Sequence, residues 1–154
     1  MKNCCSTAIC PDIMCSMFKK KGFEPNPGKV IIPGGLPHSP EQHELAAAYA
    51  LARHYRTTVE FIIPVDDYLR KSADIVMLGV EWEIKCPTGK SKSTIRNQFW
   101  RASNQSKNIV IDTRRTKLKY KSIETDVLFQ IKERPYIKKV ILISKTEKII
   151  EILT

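Results

Sequence analysis

Apolar and polar residues recur along the chain with two periods, one typical of helices and the other of strands. The helical period predicts helices at 39–56, 92–105 and 122–134. Runs of β-branched or alternating apolar residues predict strands at 57–64, 72–77, 80–86, 108–113 and 138–144, to which 148–153 can add a last one. The order αβββαβαβ predicts an α/β fold, with a mixed central sheet flanked by helices.

The composition of the chain changes where the first helix is expected to begin. The segment Ser39–Gln42 offers a serine at the N-cap, a proline at the first helical position and a glutamine at the third, which predicts a capping box. Proline and glycine are frequent in the later part of residues 1–37, so an irregular arm is expected there. The folded domain is therefore predicted at 38–154.

Four of the five cysteines lie in this arm, namely Cys4, Cys5, Cys10 and Cys15. Their spacing lacks the paired C-x2-C form of a zinc site, and no histidine lies close by. Reduced thiols in a loosely ordered segment are the favoured interpretation, with a four-thiolate zinc site as the alternative.

The predicted strand at 80–86 carries alternating charged and apolar residues. Side chains of a strand alternate between its two faces, so Glu81, Glu83 and Lys85 share one face while the apolar residues occupy the other. The plain structural explanation is an exposed strand face with an ordinary Glu/Lys salt bridge.

The preceding strand can bring a further carboxylate to this face. If Leu78–Gly79 is a two-residue hairpin turn, Met77 pairs with Val80, and counting back sets Asp74 opposite Glu83. Leu-Gly is not a favoured hairpin dipeptide, so this register depends on the turn. Two carboxylates that face each other across a strand pair are unfavourable unless a positive charge lies between them.

A divalent cation would resolve this conflict. Mg²⁺ prefers one or two carboxylates, keeps several waters and accepts a phosphate oxygen as a further ligand, and Mn²⁺ can take its place. Such an ion lowers the pKa of a bound water and neutralises charge on a phosphodiester. Lys85 could then orient that water or stabilise the transition state. The sequence therefore predicts a metal-dependent nuclease site at Asp74, Glu83 and Lys85.

The two flanking helices offer further candidates. Glu44 shares a helical stripe with small apolar residues, so it either joins the metal cluster or lies at the edge of a rotated helix. Gln98 is the polar member of the apolar stripe of the second helix and could reach the scissile phosphate or the water. Trp100 could stack on an unpaired base or pack against a neighbouring element.

The charge of the chain indicates a polyanionic partner. The net charge is +10, and residues 90–121 hold ten Lys/Arg against one acid, Asp112. The alternative is a basic surface that serves solubility and binds no partner. Candidate phosphate contacts are Lys90, Lys92, Arg96, Arg101, Arg114 and Arg115. No apolar run approaches the length of a membrane span, so a cytoplasmic protein without a membrane partner is expected.

Asp74 followed after eight residues by Glu83-Ile84-Lys85 resembles the active-site signature of the PD-(D/E)XK nuclease superfamily, and the αβββαβ order resembles its restriction-endonuclease-like core. Residues from about 39 to 144 are most similar to the tRNA-cleaving C-terminal toxin domains of contact-dependent growth inhibition systems. Ala73 departs from the proline that usually precedes the aspartate.

This resemblance implies a role for each candidate residue. Glu44, Asp74 and Glu83 would hold the metal, Lys85 would be the catalytic lysine and Gln98 would assist. It also implies tRNA as the substrate and a cognate inhibitor protein as a partner.

Three other functions compete with this one. A DNA endonuclease of the restriction, repair or resolvase type would use the same core. A non-catalytic nucleic-acid-binding protein would need only the basic segment and would gain nothing from carboxylates facing a phosphate backbone. A nucleotide-binding P-loop at 88–91 fails because its motif requires glycine where Ile84 stands.

Overall fold

The computed structural model describes residues 27–64, 72–91 and 93–153. Helices and strands follow one another in the predicted order, with one additional strand before the first helix. No helix of the described residues is long and apolar enough to cross a membrane. The predicted α/β class with a mixed sheet is confirmed.

Seven strands form one sheet whose spatial order is the same as the chain order. They are β1 Lys29–Ile31, β2 Thr58–Phe61, β3 Ile75–Met77, β4 Val80–Lys85, β5 Asn108–Asp112, β6 Lys139–Ile143 and β7 Ile149–Leu153. β1 is parallel to β2, β4 to β5 and β5 to β6, whereas the hairpin pairs β3–β4 and β6–β7 and the pair β2–β3 are antiparallel. The central strands β4 and β5 therefore have paired neighbours on both sides.

Three helices of the described residues cover the two faces of the sheet, and each face has its own apolar core. Helix α1 (Gln42–Tyr55) buries small residues and Leu51 against Trp82 and Ile84. On the opposite face, α2 (Ser93–Ser103) and α3 (Tyr120–Glu133) pack together over the other set of strand side chains. Burial on both faces explains why β5 and β6 are almost continuously apolar.

The first helix begins two residues later than the sequence suggests. Glu41, not Ser39, is the N-cap, and the backbone N–H of Glu41 donates to Oε2 of Glu44 over 3.0 Å. Glu41 and Glu44 are a second pair at capping-box spacing, and they cap the helix in place of Ser39 and Gln42. The capping box is thus formed, but by other residues.

The expected irregular arm contributes a strand. Lys29–Ile31 pair with β2, which corrects the expectation for these residues, whereas Cys4, Cys5, Cys10 and Cys15 lie outside the described residues. Gly28 allows this placement, because a Cβ there would lie 2.1 Å from the carbonyl oxygen of Ala52 in α1. A strand of three residues is too short to show a period of alternating apolar residues, so the sequence does not predict that Lys29–Ile31 pairs with β2.

The hairpin between β3 and β4 turns through Leu78 and Gly79, whose φ angles are +54° and +71°. Positive φ at both central residues is the requirement of a type I′ turn, and a leucine meets it only at a conformational cost. The predicted pairing of Met77 with Val80 is confirmed. The register is therefore fixed despite an unfavourable turn residue.

Replacing this leucine with a better turn residue should stabilise the protein. Leu78 is 63% exposed, so Leu78→Asn removes little packing and creates the Asn-Gly pair that type I′ turns prefer. We expect the free energy of unfolding in urea to rise by about 1 kcal/mol. A lower stability of Leu78→Asn than of the parent would show that the leucine side chain contributes more by packing than its backbone costs.

Candidate active site

The β3–β4 hairpin brings Asp74 and Glu83 together. Ile75 pairs with Trp82, and the backbone N–H of Asp74 donates to the carbonyl oxygen of Trp82 over 3.1 Å. Asp74 therefore lies across from Glu83 on the same face of the sheet, as the hairpin register predicts. The two carboxyl groups are close enough for each to shift the pKa of the other.

Asp74 is held by the backbone of the neighbouring strand. Its Oδ2 accepts a hydrogen bond of 2.7 Å from the backbone N–H of Ile84. Burial raises the pKa of the Asp74 carboxyl, and the charge of Glu44 raises it further, while the hydrogen bond from Ile84 and the charge of Lys85 act in the opposite direction. The carboxyl is thus oriented but is not fully stabilised as an anion.

Glu83 is completely buried, and its two oxygens have different surroundings. Oε1 accepts hydrogen bonds from Nζ of Lys85 and, over 2.6 Å, from Nε2 of Gln105. Oε2 is buried without a hydrogen-bond partner among the described residues. Burial, followed by the charge of Asp74, raises the pKa of Glu83 to about 8, although Lys85 opposes this shift. The Asp74–Glu83 pair therefore holds a proton at neutral pH.

Lys85 is the last residue of β4 and joins this pair on the same face. Its side chain is mostly buried, and its Nζ donates a hydrogen bond to Oε1 of Glu83. Glu83 and Lys85 pair along the sheet with Ile109 and Ile111 of β5, which belong to the core under α2 and α3. Asp74, Glu83 and Lys85 thus converge, on the face covered by those two helices.

Glu44 lies in the first turn of α1, the helix that packs against Trp82 and Ile84 on the opposite face of the sheet. Its charge influences Asp74 and Cys86, so it is electrostatically close to the site, but its carboxylate also accepts the capping hydrogen bond from Glu41. Within the described ranges, no three acidic, histidine or cysteine side chains lie close enough together to hold a metal ion. The structure therefore brings together two of the three expected carboxylates and leaves Glu44 apart from them.

A different glutamine from the expected one reaches the carboxylates. Gln98 is half-buried on α2, and no hydrogen bond joins it to Asp74, Glu83 or Lys85 in the described part of the chain. Gln105, just beyond the end of α2, donates to Glu83 instead. The sequence predicts a helix through Gln105, but α2 ends at Ser103, so the helical period does not indicate where the side chain of Gln105 points.

Cys86 and Trp100 lie near the site but differ in burial. Burial raises the pKa of the Cys86 thiol to about 12, so it stays protonated and is a poor nucleophile. Trp100 is 60% exposed on α2, which leaves its ring free to stack on a partner and excludes a packed core position.

The basic residues predicted to contact phosphate differ in their exposure and in their hydrogen bonds to the protein. Lys90, Arg96, Arg101 and Arg115 are exposed, whereas Lys92 lies outside the described residues. Arg114 instead donates from Nε and Nη2 to the buried carboxylate of Asp112 and from Nη1 to Glu147, which also accepts from Arg53. This network ties the loop after β5 to the β6–β7 turn and to α1. A nucleic-acid contact by Arg114 stays a prediction.

Comparison with known proteins gives this site a family. Residues 71–149 match the model described as the contact-dependent growth inhibition CdiA C-terminal domain, a match that covers 79 of the 154 residues. The chain belongs to this family. CdiA C-terminal domains are toxin domains, commonly nucleases, and the matched segment contains Asp74, Glu83 and Lys85.

A solved structure has a similar fold. It is a chain of a CdiA-CT/CdiI toxin and immunity complex from Burkholderia pseudomallei, with a TM-score of 0.57 and 21% sequence identity. The similarity covers 82% of this chain and 100% of that chain, and at this identity it shows the shared fold of the two CdiA C-terminal domains. No curated protein matches the chain.

The raised pKa of Glu83 predicts how stability depends on pH. The folded protein keeps a proton on Glu83 up to about pH 8, while the unfolded chain releases it near 4.5, so this group lowers stability as the pH rises between these values. Glu83→Gln removes that titration and keeps the shape of the side chain. We expect the variant to exceed the parent in unfolding free energy near pH 8, with the difference shrinking towards pH 4.5.

Urea unfolding in EDTA at the two ends of this pH window measures the difference. A difference between variant and parent that does not change with pH would show that Glu83 ionises at an ordinary pKa in the folded protein.

Proposed function

We propose that this CdiA C-terminal domain is a metal-dependent endonuclease of the PD-(D/E)XK type that hydrolyses RNA, with tRNA as the favoured substrate. The observation that carries the proposal is the convergence of Asp74, Glu83 and Lys85, with Glu83 Oε2 buried and without a hydrogen-bond partner among the residues that the structure describes. A buried carboxylate oxygen without a donor is costly, and a cation is the partner that best offsets this cost.

The donors available suit Mg²⁺ or Mn²⁺. Both are hard cations that bind carboxylate oxygens, and Mg²⁺ in particular uses one or two carboxylates together with waters and substrate phosphates. Asp74 and the free Oε2 of Glu83 would supply those carboxylates, and Glu44 could join only by giving up its capping hydrogen bond. Such an ion would activate a water and neutralise charge on the phosphodiester.

Each residue of the candidate active site then has a separate role. Glu83 would release its proton to solvent and, together with Asp74, would hold the ion through its carboxylate. Lys85 donates a hydrogen bond to the attacking water or to a non-bridging phosphate oxygen, where negative charge grows in the transition state. The water oxygen bonds to phosphorus and releases a proton, while the bond to the leaving sugar oxygen breaks and that oxygen takes one up.

The choice of RNA rests on charge, shape and resemblance. The basic segment at 90–121 suits any polynucleotide, and the exposed ring of Trp100 suits unpaired bases, which folded RNA offers. Symmetric cutting of duplex DNA requires a two-fold dimer with matched spacing. A non-catalytic binder has no use for two facing carboxylates at a phosphate-binding surface.

A cognate immunity protein is part of the same proposal. The solved neighbour is a toxin and immunity complex, and a nuclease toxin endangers the cell that makes it unless it is inhibited. We propose that this domain acts in the cytoplasm, where tRNA is found, and that a partner of the immunity type blocks it there.

Substitutions at the site should abolish cleavage without unfolding the protein. Asp74→Ala, Glu83→Ala and Lys85→Ala should each reduce the cleavage rate by about 10²-fold or more, because each removes a ligand or the stabilising charge. Glu81→Ala is the matched control, since Glu81 is an exposed acid on the same strand. Total tRNA and plasmid DNA, each with Mg²⁺ or EDTA, provide the assay.

The outcomes separate the rival functions. Cleavage of plasmid DNA with an untouched tRNA pool would indicate a DNA endonuclease, and binding without cleavage of either would indicate a non-catalytic protein. Lys85→Ala should still bind Mn²⁺, because lysine acts in the transition state and does not coordinate the metal. Loss of Mn²⁺ binding in Lys85→Ala would contradict this role.

The two glutamines offer a second test of the site. Gln105→Leu removes a donor from Glu83 and should weaken Mn²⁺ binding and cleavage by roughly 10-fold or more, as substitutions of groups that orient metal ligands do. Gln98→Leu, on the same helical region, should leave Mn²⁺ affinity unchanged. The reverse order of effects would restore Gln98 as the assisting residue.

A further inference from the structure

Four lysines line one groove beside the candidate active site. Lys90, Lys117, Lys119 and Lys121 face it, together with residues of the first turns of α3. Only Lys90 belongs to the candidate contacts that the sequence suggests, whereas Lys117 lies in the loop before α3 and Lys119 and Lys121 lie at the start of that helix. The groove is open and its lining is mainly basic, with Asp126 as the single acid among the described residues that line it.

The groove forms because two loops leave the sheet at the same end. β4 and β5 are parallel neighbours, so the loops that follow Lys85 and Asp112 start side by side. The buried hydroxyl of Thr116 joins them by donating to the carbonyl oxygen of Gly89 over 2.7 Å. The groove therefore lies at the sheet edge where β4 ends in Lys85.

The lysines of the groove are not stabilised by the protein itself. None of the four forms an ion pair with an acid among the described residues. Lys119 is the N-cap of α3 and Lys121 lies in its first turn, which has no acidic residue. Positive charges there oppose the helix dipole and repel one another, so their placement is unfavourable for the isolated protein.

We infer that this groove binds the phosphodiester backbone of the RNA substrate next to the scissile bond, an inference that rests on the proposed nuclease function. Lysine provides mobile point charges that suit a row of phosphates regardless of base sequence. The parallel strands set this groove and Asp74, Glu83 and Lys85 at neighbouring positions, so one strand can contact both.

The test compares two variants with equal loss of charge. In the groove variant, Lys90, Lys117, Lys119 and Lys121 are replaced with Gln. In the control variant the exposed residues Lys132, Lys139, Lys145 and Lys148 are replaced with Gln. Binding of fluorescently labelled tRNA is measured by anisotropy in EDTA, where no metal-dependent cleavage occurs, over a range of salt concentrations.

We expect the groove variant to lose roughly 10-fold or more in affinity at low salt. Its slope of log K against log salt should fall by about 0.7 for each lost phosphate contact, whereas the control should keep the parent's slope. The groove variant should also unfold at the same or a higher temperature than the parent, because lysines at the start of α3 are removed.

Equal slopes for the two variants, or a parent protein that does not bind tRNA, would overturn the inference. Retained tRNA binding together with a lost interaction with an acidic immunity protein would assign the groove to that partner and overturn it as well. Salt-dependent binding that requires the groove, without any cleavage in Mg²⁺, would support the groove and remove the nuclease function. Cleavage by the parent together with unchanged tRNA binding by the groove variant would support the nuclease function and overturn the assignment of the groove.

Discussion

A carboxylate that is removed from water loses its hydration, and neighbouring groups must replace what is lost. Glu83 is completely buried, and its two oxygens are hydrogen-bonded unequally. Lys85 and Gln105 both donate to Oε1, while Oε2 has no partner among the described residues. Asp74 adds a second acid close enough to raise the pKa of Glu83. Burial of the two acids is tolerated because Glu83 keeps its proton at neutral pH.

The sheet prevents the pair from relaxing. β4 has hydrogen-bonded neighbours on both sides, and its apolar residues Trp82 and Ile84 are buried under α1. A shift of one residue would exchange the two faces, so that the carboxylates and these apolar side chains would trade places. The strain accepted at Leu78 therefore secures a register in which Asp74 faces Glu83.

Opposite charges gather at one end of the parallel strands. The acids lie on the strands themselves, whereas the lysine groove lies in the loops beyond them, and Arg114 neutralises Asp112 where the two regions meet. A phosphate backbone is attracted by the lysines but repelled by the acids. In the proposed nuclease, a divalent cation between the acids would replace that repulsion with attraction at the scissile phosphate.

The sequence by itself determined the features that depend on the local period of apolar and polar residues. Alternation along β4 put Glu83 and Lys85 on one face, the two-residue turn implied Asp74 opposite them, and apolar runs gave the order of the helices and strands. Tertiary structure alone decided contacts between distant segments. These include the pairing of Lys29–Ile31 with β2, the reach of Gln105 to Glu83, and the meeting of the lysine-bearing loops through Thr116. Such contacts depend on where whole helices and strands pack, and no residue spacing within one segment encodes that.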